Sequence, residues 1–217
     1  MCRDLGWVRI DVPYGDPWFG KLVPCRDCEL GRSLAQQASL VRTERWCTQL
    51  PEKNFVTFQS RGGAVDIALR AARAFAENPH RCLILWGSRG TGKTHLCAAV
   101  VNRLRERGVS AGFFTAPDLL DMLRSGYARG DYDELLNGLR NLDVLALDDL
   151  GVEKETDWAT EKLFQIINHR YNKNLPLMIS TNMNPELFEA RLADRLCDNA
   201  WSLRIQLGAE SWRRKTP

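Results

Sequence analysis

Short apolar runs alternate along this chain with segments whose apolar residues recur every three or four positions. The runs are residues 82–86, 111–115, 144–147, 177–181 and 200–207. Runs of this length indicate buried strands, whereas the three-and-four spacing indicates amphipathic helices. The helical segments are residues 65–75, 96–104, 117–124, 132–140, 156–171 and 185–196. Strands that alternate with helices predict an α/β fold, in which a parallel five-stranded sheet lies between helices.

The first 50 residues follow a different pattern. Residues 7–13 alternate in polarity like a short strand, residues 21–24 resemble a second strand, and the loop between them completes a β-hairpin. The segment 29–50 then has the spacing of a helix and connector, which Pro51 ends. We therefore expect an N-terminal hairpin with its connector at 1–50 and the α/β domain at 51–217.

Cysteines lie at both ends of this hairpin. Cys2 precedes the first strand, and Cys25 and Cys28 form a CxxC pair after the second. A zinc ribbon has a similar plan, with thiolate ligands at each end of a hairpin. Cys47 or His80 could supply a fourth ligand. Zn²⁺ held by Cys2, Cys25 and Cys28 is one interpretation, and free thiols on a small hairpin are the other.

The composition excludes some classes of protein and leaves others open. At 217 residues the chain is long enough for one core and a small appendage. The net charge of +3 permits nucleic-acid binding without indicating it. No apolar run approaches the roughly 18 residues of a membrane span, and the N-terminus lacks the apolar core of a secretion signal. Seven cysteines favour a reducing compartment, so we expect a cytoplasmic protein without membrane contact.

The first candidate site follows the apolar run 82–86. Residues 87–94 have the spacing GxxxxGKT and lead directly into a helical segment. In such a loop the backbone N–H groups face the phosphates, the lysine reaches the β- and γ-phosphates, and the threonine hydroxyl binds Mg²⁺. The expected nucleotide-binding residues are Gly87, Ser88, Arg89, Gly90, Thr91, Gly92, Lys93, Thr94 and His95. The loop predicts binding of a nucleoside triphosphate with Mg²⁺.

Polar residues follow the next two central strands. Asp148 and Asp149 end the run 144–147, and Asn182 ends the run 177–181. Ligands of open α/β sheets bind outside the carboxyl ends of the strands. We expect Asp148 to bind Mg²⁺, Asp149 to orient or deprotonate the attacking water, and Asn182 to contact that water or the γ-phosphate.

A basic residue is the last candidate for catalysis. Arg195 lies on the helical segment after Asn182. A guanidinium stabilises charge on a transferring phosphoryl group, and one that comes from a neighbouring subunit makes hydrolysis depend on assembly. The alternative is a surface arginine that pairs with Glu189 or Asp194.

Together these motifs resemble the AAA+ ATPases of the bacterial helicase-loader type, the DnaC/DnaI-like group, which is related to the IstB-type ATPases. The resemblance extends from about Asn54 to Arg213. It rests on residues 87–96, Leu-Asp-Asp-Leu-Gly at 147–151, residues 158–164, Asn-His-Arg-Tyr at 168–171, Ser-Thr-Asn at 180–182, residues 194–196 and Ser-Trp-Arg at 211–213.

The resemblance implies a role for each candidate residue. These roles are Lys93 and Thr94 as the Walker A pair, Asp148 and Asp149 as the Walker B pair, Asn182 as sensor 1, Arg195 as the arginine finger acting in trans, and Arg213 as a late arginine. Asp149 stands where the family usually has glutamate, so hydrolysis is expected to be slow and stimulated by assembly or DNA. Little chain follows the last strand, so no full helical lid is expected.

The resemblance also implies a function. The chain is expected to be an ATP-dependent DNA replication protein that assembles with ATP, binds a replicative hexameric helicase and loads it onto single-stranded DNA. The alternative is an IstB-like ATPase that regulates a transposase on double-stranded DNA. A third hypothesis is an adaptor that binds ATP without hydrolysing it and binds a protein partner through the cysteine hairpin.

Overall fold

The N-terminal hairpin is present. The computed structural model describes residues 5–9, 12–14, 19–25, 28–31, 47–60, 62–152 and 156–208. Strands β1 (Trp7–Arg9) and β2 (Leu22–Pro24) pair in antiparallel register, with Val8 opposite Val23. Most of the predicted connector, Cys2 and Arg213 lie outside the described residues.

The hairpin gives no support to a zinc site. Cys25 is buried, and the Cys28 sulfur accepts a hydrogen bond from the Gly31 N–H at 3.2 Å. Cys47, one proposed fourth ligand, instead packs in the core of the larger domain, where the Arg105 guanidinium contacts its sulfur. Within the described ranges, no group of three or more His, Cys, Asp or Glu residues could hold a metal ion.

The predicted five-stranded parallel sheet is confirmed. Its strands are β3 (Cys82–Gly87), β4 (Ala111–Thr115), β5 (Val144–Leu150), β6 (Leu177–Thr181) and β7 (Ser202–Leu207). They are arranged in the order β4-β5-β6-β3-β7, and every neighbouring pair is parallel. After β3 the chain crosses to the edge strand β4, and β5 and β6 then fill the positions back towards β3. The last strand, β7, lies on the other side of β3, so the strand order reverses at the carboxyl end of β3. Ligands of such sheets bind in the crevice at this point.

Helices cover both faces of the sheet, as the alternating pattern predicts. They are α1 (Ala64–Glu77), α2 (Lys93–Glu106), α3 (Ala116–Arg129), α4 (Tyr132–Asn141), α5 (Asp157–Asn172) and α6 (Ala190–Leu196). Helices α1 and α2 pack on one face, and α3 to α6 pack on the other. Of the helices described, not one combines the length and apolar content that crossing a bilayer requires.

The prediction of one helix over residues 185–196 is wrong. The segment forms a 3₁₀ turn (Pro185–Leu187) and then the separate helix α6. Phe188 and Glu189 between them have ψ angles of 169° and 139°, which are extended values that no α-helix contains. The apolar spacing continues across this break, so the pattern alone did not reveal it.

One arginine joins several chain segments at the amino-terminal end of the sheet. Arg170 on α5 is fully buried, and its guanidinium donates hydrogen bonds of 2.6–3.3 Å to backbone carbonyls. The carbonyls are those of Leu139, Arg140, Leu142, Asp143 and Pro176. Burial lowers the pKa of Arg170 to about 10. The side chain thus holds the end of α4 and the starts of β5 and β6 together.

Residues 47–59, which we call the strap, lie along this domain before α1. The Thr48 N–H donates to the Phe113 carbonyl at 3.0 Å, at the edge strand β4. The Asn102 side chain on α2 donates to the carbonyls of Leu50 and Lys53, both at 2.9 Å. The strap therefore joins the sheet edge to the helix that follows the glycine-rich loop. The predicted domain boundary between residues 50 and 51 stays a prediction.

Candidate nucleotide-binding and catalytic site

The glycine-rich loop lies between β3 and α2, as predicted. Gly87 has φ 125°, and a Cβ atom there would overlap the Leu207 carbonyl oxygen. Gly92 has φ 94° and is the N-cap of α2, and the Phe58 ring lies 2.8 Å from the position that a Cβ would take. Both positions require glycine because a side chain would meet strain and steric overlap. The loop therefore delivers the N-terminus of a 14-residue helix to the crevice, where it favours anions.

Lys93 is folded back against the loop. Its ammonium group donates to the carbonyl oxygens of Gly87 and Ser88, both at 2.8 Å. Burial lowers the pKa of Lys93, and the nearby carboxylates of Asp149 and Asp148 oppose that shift. A buried cation that donates these hydrogen bonds to neutral carbonyls gains further from an anion, so the position suits a phosphate group.

The two aspartates lie at an irregularity of the sheet. The pairing of β5 with β6 is continuous up to Leu147, shifts, and resumes at Leu150. Asp149 has φ 54°, a left-handed conformation that aspartate tolerates better than most residues. The Ser180 hydroxyl on β6 accepts from the Asp149 N–H at 3.1 Å and donates to Asp148 Oδ1.

Asp148 fits a role as a metal ligand. It is 1% exposed, and its second carboxylate oxygen has no hydrogen-bond partner within the described part of the chain. Burial raises the pKa of Asp148 to about 6, and the negative charge of Asp149 adds to the shift. The hydrogen bond from Ser180 and the nearby Thr94 hydroxyl act in the opposite direction. A buried carboxylate oxygen without a partner, close to a threonine hydroxyl, suits Mg²⁺ or its water ligands.

The raised pKa of Asp148 predicts a pH dependence of stability without nucleotide and metal. The folded protein holds the proton of Asp148 up to about pH 6, whereas the unfolded chain releases it near the ordinary value of 3.8. The free energy of unfolding therefore falls by up to about 3 kcal/mol between about pH 4 and pH 6 because of this group. Asp148→Asn removes this contribution, so the variant should gain stability relative to the wild type over that range.

Urea unfolding at several pH values, with a chelator present, measures this difference. The matched control is Asp121→Asn, which removes an exposed carboxylate on α3. A difference between Asp148→Asn and the wild type that stays constant from pH 4 to pH 7 would contradict the expectation.

A cleft of about 690 Å³ opens above the loop. Loop residues 89–95, Asp149 and Asn182 line it, which brings most of the predicted site together. Gly87, Ser88 and Asp148 are not among the described lining residues: the carbonyls of the first two accept from Lys93, and Asp148 is only 1% exposed. The size and the mixed polar and apolar lining suit a small organic anion.

The strap forms a wall of the cleft that the sequence patterns did not predict. The strap residues that line the cleft are Lys53, Thr57, Phe58 and Gln59. His95, which follows the loop, anchors this wall: its Nε2 lies 2.9 Å from the Asn54 carbonyl oxygen and 3.3 Å from the Thr57 hydroxyl. Residues 41 positions apart in sequence thus meet, which periodicity and motif spacing do not reveal. The one hint in the sequence that this segment belongs to the site was that the family resemblance begins at about Asn54.

Arg195 is not brought into this cleft. Arg195 lies on α6 and is not one of the described residues that line the cleft. Its guanidinium donates to the Asn168 side chain and to the Asp194 carboxylate, both at 3.1 Å, and lies 5.3 Å from the centre of the Phe164 ring. The ion pair with Asp194 is the one that the surface alternative predicts. In the part of the chain that the structure describes, Arg195 therefore lies outside the cleft of its own subunit.

A second surface carries aromatic rings beside cations. This aromatic patch consists of Arg124 and Tyr127 on α3, Tyr132 on α4, and Trp158 and Lys162 on α5. The two tyrosine rings are stacked, with centroids 4.1 Å apart and planes 13° apart. Arg124 lies 4.9 Å from the Trp158 ring centre, and Lys162 lies 5.4 Å from that of Tyr132. Tyr127 is 52% exposed, so a flat π-surface faces solvent beside positive charge.

Comparison with known proteins identifies relatives of the whole domain. The profile of the family described as IstB-like ATP binding protein matches residues 32–216. The replicative helicase loader DnaC of Escherichia coli K12 is 33% identical over 150 residues, which are 67% of this chain and 59% of that protein. The replicative helicase loader DnaI of Bacillus subtilis 168 is 32% identical over 105 residues, which are 48% of this chain and 34% of that protein. The chain thus spans about 59% of the length of the first curated relatives it matches.

Solved structures agree with the fold. A crystal structure of the DnaC helicase loader has a TM-score of 0.62 at 30% identity, and the match covers 72% of this chain and 97% of that one. The replication initiator DnaA bound to AMPPCP and single-stranded DNA has a TM-score of 0.66 at 22% identity, with 74% of this chain and 51% of that chain covered. The second likeness shows the fold alone. Both confirm the predicted P-loop AAA+ core.

Proposed function

The chain belongs to the family of IstB-like ATP binding proteins, and from this membership we propose that it is an AAA+ ATPase that loads a replicative helicase onto single-stranded DNA. The observation that carries the proposal is the cleft in which Lys93, Asp149 and Asn182 meet, in a chain 33% identical to a replicative helicase loader over 150 residues.

The cleft residues support binding and hydrolysis of ATP. The loop N–H groups and the Lys93 ammonium bind the phosphates. Thr94 and Asp148 would hold Mg²⁺, which when bound neutralises charge between the β- and γ-phosphates. Asp149 accepts a proton from water as the water oxygen bonds to the γ-phosphorus, and the bond to the bridging oxygen of ADP breaks. Asn182 orients the water or the γ-phosphate. Asp149 is one methylene shorter than glutamate, so we expect slow turnover.

We assign Arg195 to the cleft of a neighbouring subunit. The supporting observation is that this guanidinium lies outside its own cleft yet is held in a defined position by Asn168, Asp194 and the Phe164 ring. A guanidinium from a second copy stabilises the charge of the phosphoryl group in transfer. ATP would then favour a homo-oligomer, and assembly would stimulate hydrolysis.

The aromatic patch favours single-stranded over double-stranded DNA. Bases of a single strand can stack on exposed aromatic rings, and each stacked base contributes about 1–3 kcal/mol. Bases in a duplex are already stacked and present only their edges. Tyr127 and the neighbouring cations Arg124 and Lys162 therefore support the loader over the alternative, an IstB-like regulator of a transposase on double-stranded DNA.

One experiment tests the loader function. The protein is mixed with the replicative helicase of its host and a fluorescent thymidine oligonucleotide, with ATP and Mg²⁺, and the mixture is separated by gel filtration. We expect all three to co-elute. Tyr127→Ala should retain the helicase but bind the oligonucleotide about tenfold more weakly, because one stacking platform is lost.

The matched control is Tyr14→Ala, which removes a tyrosine that is 91% exposed on the N-terminal segment and should behave as the wild type. Failure to co-elute with the helicase in any nucleotide state would overturn the loader function. Retention of duplex DNA in place of the oligonucleotide would favour the transposase regulator.

A further inference from the structure

The backbone pairing of β5 with β6 is interrupted where the two acidic residues lie, whereas on the other side of β5 Asp148 stays opposite Thr115 of β4. Leu147 is opposite Ile179, and Leu150 is opposite Thr181, so Asp148 and Asp149 together face Ser180 alone. Two residues opposite one form a bulge, which removes ladder hydrogen bonds and redirects side chains. On the β6 side, the ladder therefore does not fix the two aspartates, and a side-chain contact from β6 can do so instead.

The Ser180 hydroxyl takes the place of the missing ladder bonds. Ser180 is fully buried, and its oxygen accepts the Asp149 N–H at 3.1 Å while its proton goes to Asp148 Oδ1. The same hydroxyl thus donates to the first residue of the bulge, Asp148, and accepts from the second, Asp149. The neighbouring strand holds both positions through a single side chain.

The contacts of Ser180 decide which groups of the two aspartates remain available to a ligand. Because Ser180 occupies Asp148 Oδ1, the other carboxylate oxygen is the one without a partner in the described residues. Because Ser180 also holds the Asp149 N–H, the left-handed backbone at φ 54° is fixed and the Asp149 side chain lines the cleft. The next residue repeats the device: the Thr181 hydroxyl donates to the Leu150 carbonyl at 2.7 Å and accepts from the Met183 N–H at 3.0 Å.

We propose that Ser180 is a positioning residue that orients Asp148 towards the metal position and Asp149 towards the attacking water. The proposal rests on the proposed hydrolysis of ATP with Mg²⁺ and adds to it a residue that contacts neither substrate nor metal. Ser180 acts only through the two aspartates. Its loss should therefore alter the response to Mg²⁺ and the rate of turnover, but not the affinity for ATP without metal.

The test compares Ser180→Ala with Ser180→Thr. For Ser180→Ala we expect ATP turnover to fall about 10-fold to 100-fold, the range seen when partners of metal ligands are removed. Mg²⁺ should raise the affinity for a fluorescent ATP analogue, and the half-maximal effect should need a higher Mg²⁺ concentration in Ser180→Ala than in the wild type. Affinity for the analogue in EDTA should stay at the wild-type value. Ser180→Thr retains a hydroxyl and should restore much of both properties.

Ser202→Ala is the matched control, since it removes a buried hydroxyl that, among the described residues, donates to the carbonyls of Leu196 and Asp198 and touches neither aspartate. Wild-type turnover and Mg²⁺ response in Ser180→Ala would overturn the proposal. If Ser180→Ala does not fold, Ser180→Cys, with its weaker donor, should give intermediate values, and wild-type values would overturn the proposal equally. A wild-type protein that neither binds nor hydrolyses ATP with Mg²⁺ would instead refute the proposed function.

Discussion

Lys93→Ala is expected to abolish the thermal stabilisation of the protein by ATP and Mg²⁺. A ligand at one hundred times its Kd stabilises the folded state by about 2.7 kcal/mol, which raises the Tm of a chain of this size by about 5–10 °C. Lys93 is the buried cation at the start of α2, held by two loop carbonyls and poised for a phosphate. Without Lys93, ATP and Mg²⁺ should no longer raise the Tm. The variant should still unfold cooperatively without nucleotide, which would show that it is folded. Thermal unfolding with and without ATP measures both.

Arg195→Ala is the informative comparison for Lys93→Ala. Because Arg195 lies outside the described lining of its own cleft, this variant should keep the ATP-dependent rise in Tm. It should lose only the stimulation of hydrolysis that depends on assembly. A full rise in Tm with Lys93→Ala would show that ATP binds elsewhere. Loss of the rise with Arg195→Ala would show that the arginine acts within its own subunit.

Arg170→Met is expected to cost more than about 4 kcal/mol of the free energy of unfolding, a loss that few single substitutions cause. The guanidinium is fully buried and donates to five carbonyls. Methionine fills a similar volume but removes the guanidinium donor from these carbonyls, of which that of Pro176 keeps the Leu145 N–H at 3.4 Å. Each buried carbonyl left unsatisfied costs about 1–3 kcal/mol. The loss approaches the whole stability of an ordinary domain, so the variant should be largely unfolded at moderate temperature.

Urea unfolding distinguishes the hydrogen bonds of Arg170 from its charge. Arg170→Lys keeps the charge but has a compact ammonium group that cannot reach five carbonyls, so its stability should fall between those of the wild type and Arg170→Met. Arg103→Met is the matched control, since Arg103 is 45% exposed on α2 and pairs with Glu77 at 3.2 Å. It should change stability by less than about 0.5 kcal/mol. A loss below about 1 kcal/mol for Arg170→Met would contradict the structural role.

Much of the fold could be predicted because its signals are local. The apolar runs of β3 to β7 and the GxxxxGKT spacing each lie within a few residues, so one sequence was enough to place the phosphate loop and the acidic strand end. The order of the strands in the sheet was not predicted and comes from the structure. The break at Phe188 was missed because it depends on backbone angles within a segment whose apolar spacing continues unchanged.

The remaining features of the site depend on contacts between distant residues. Ser180 is 32 positions from Asp148, and Thr57 is 38 positions from His95. A serine in a buried strand and a threonine in a loop are unremarkable until the fold places them beside their partners. The roles of Asn168 and Arg170 were visible in the sequence only as parts of a family motif, and their separate contacts with Arg195 and with the backbone carbonyls came from packing.

The strap also covers part of a sheet edge. A free sheet edge is a template for pairing with another chain, and proteins protect such edges by covering them. Strand β4 is an edge strand whose residues Phe113 and Phe114 are buried, and Thr48 of the strap bonds to its backbone. A chain shortened to begin at α1 would uncover this edge as well as one wall of the cleft. Residues 47–59 therefore belong in any fragment meant to keep this edge and this wall covered.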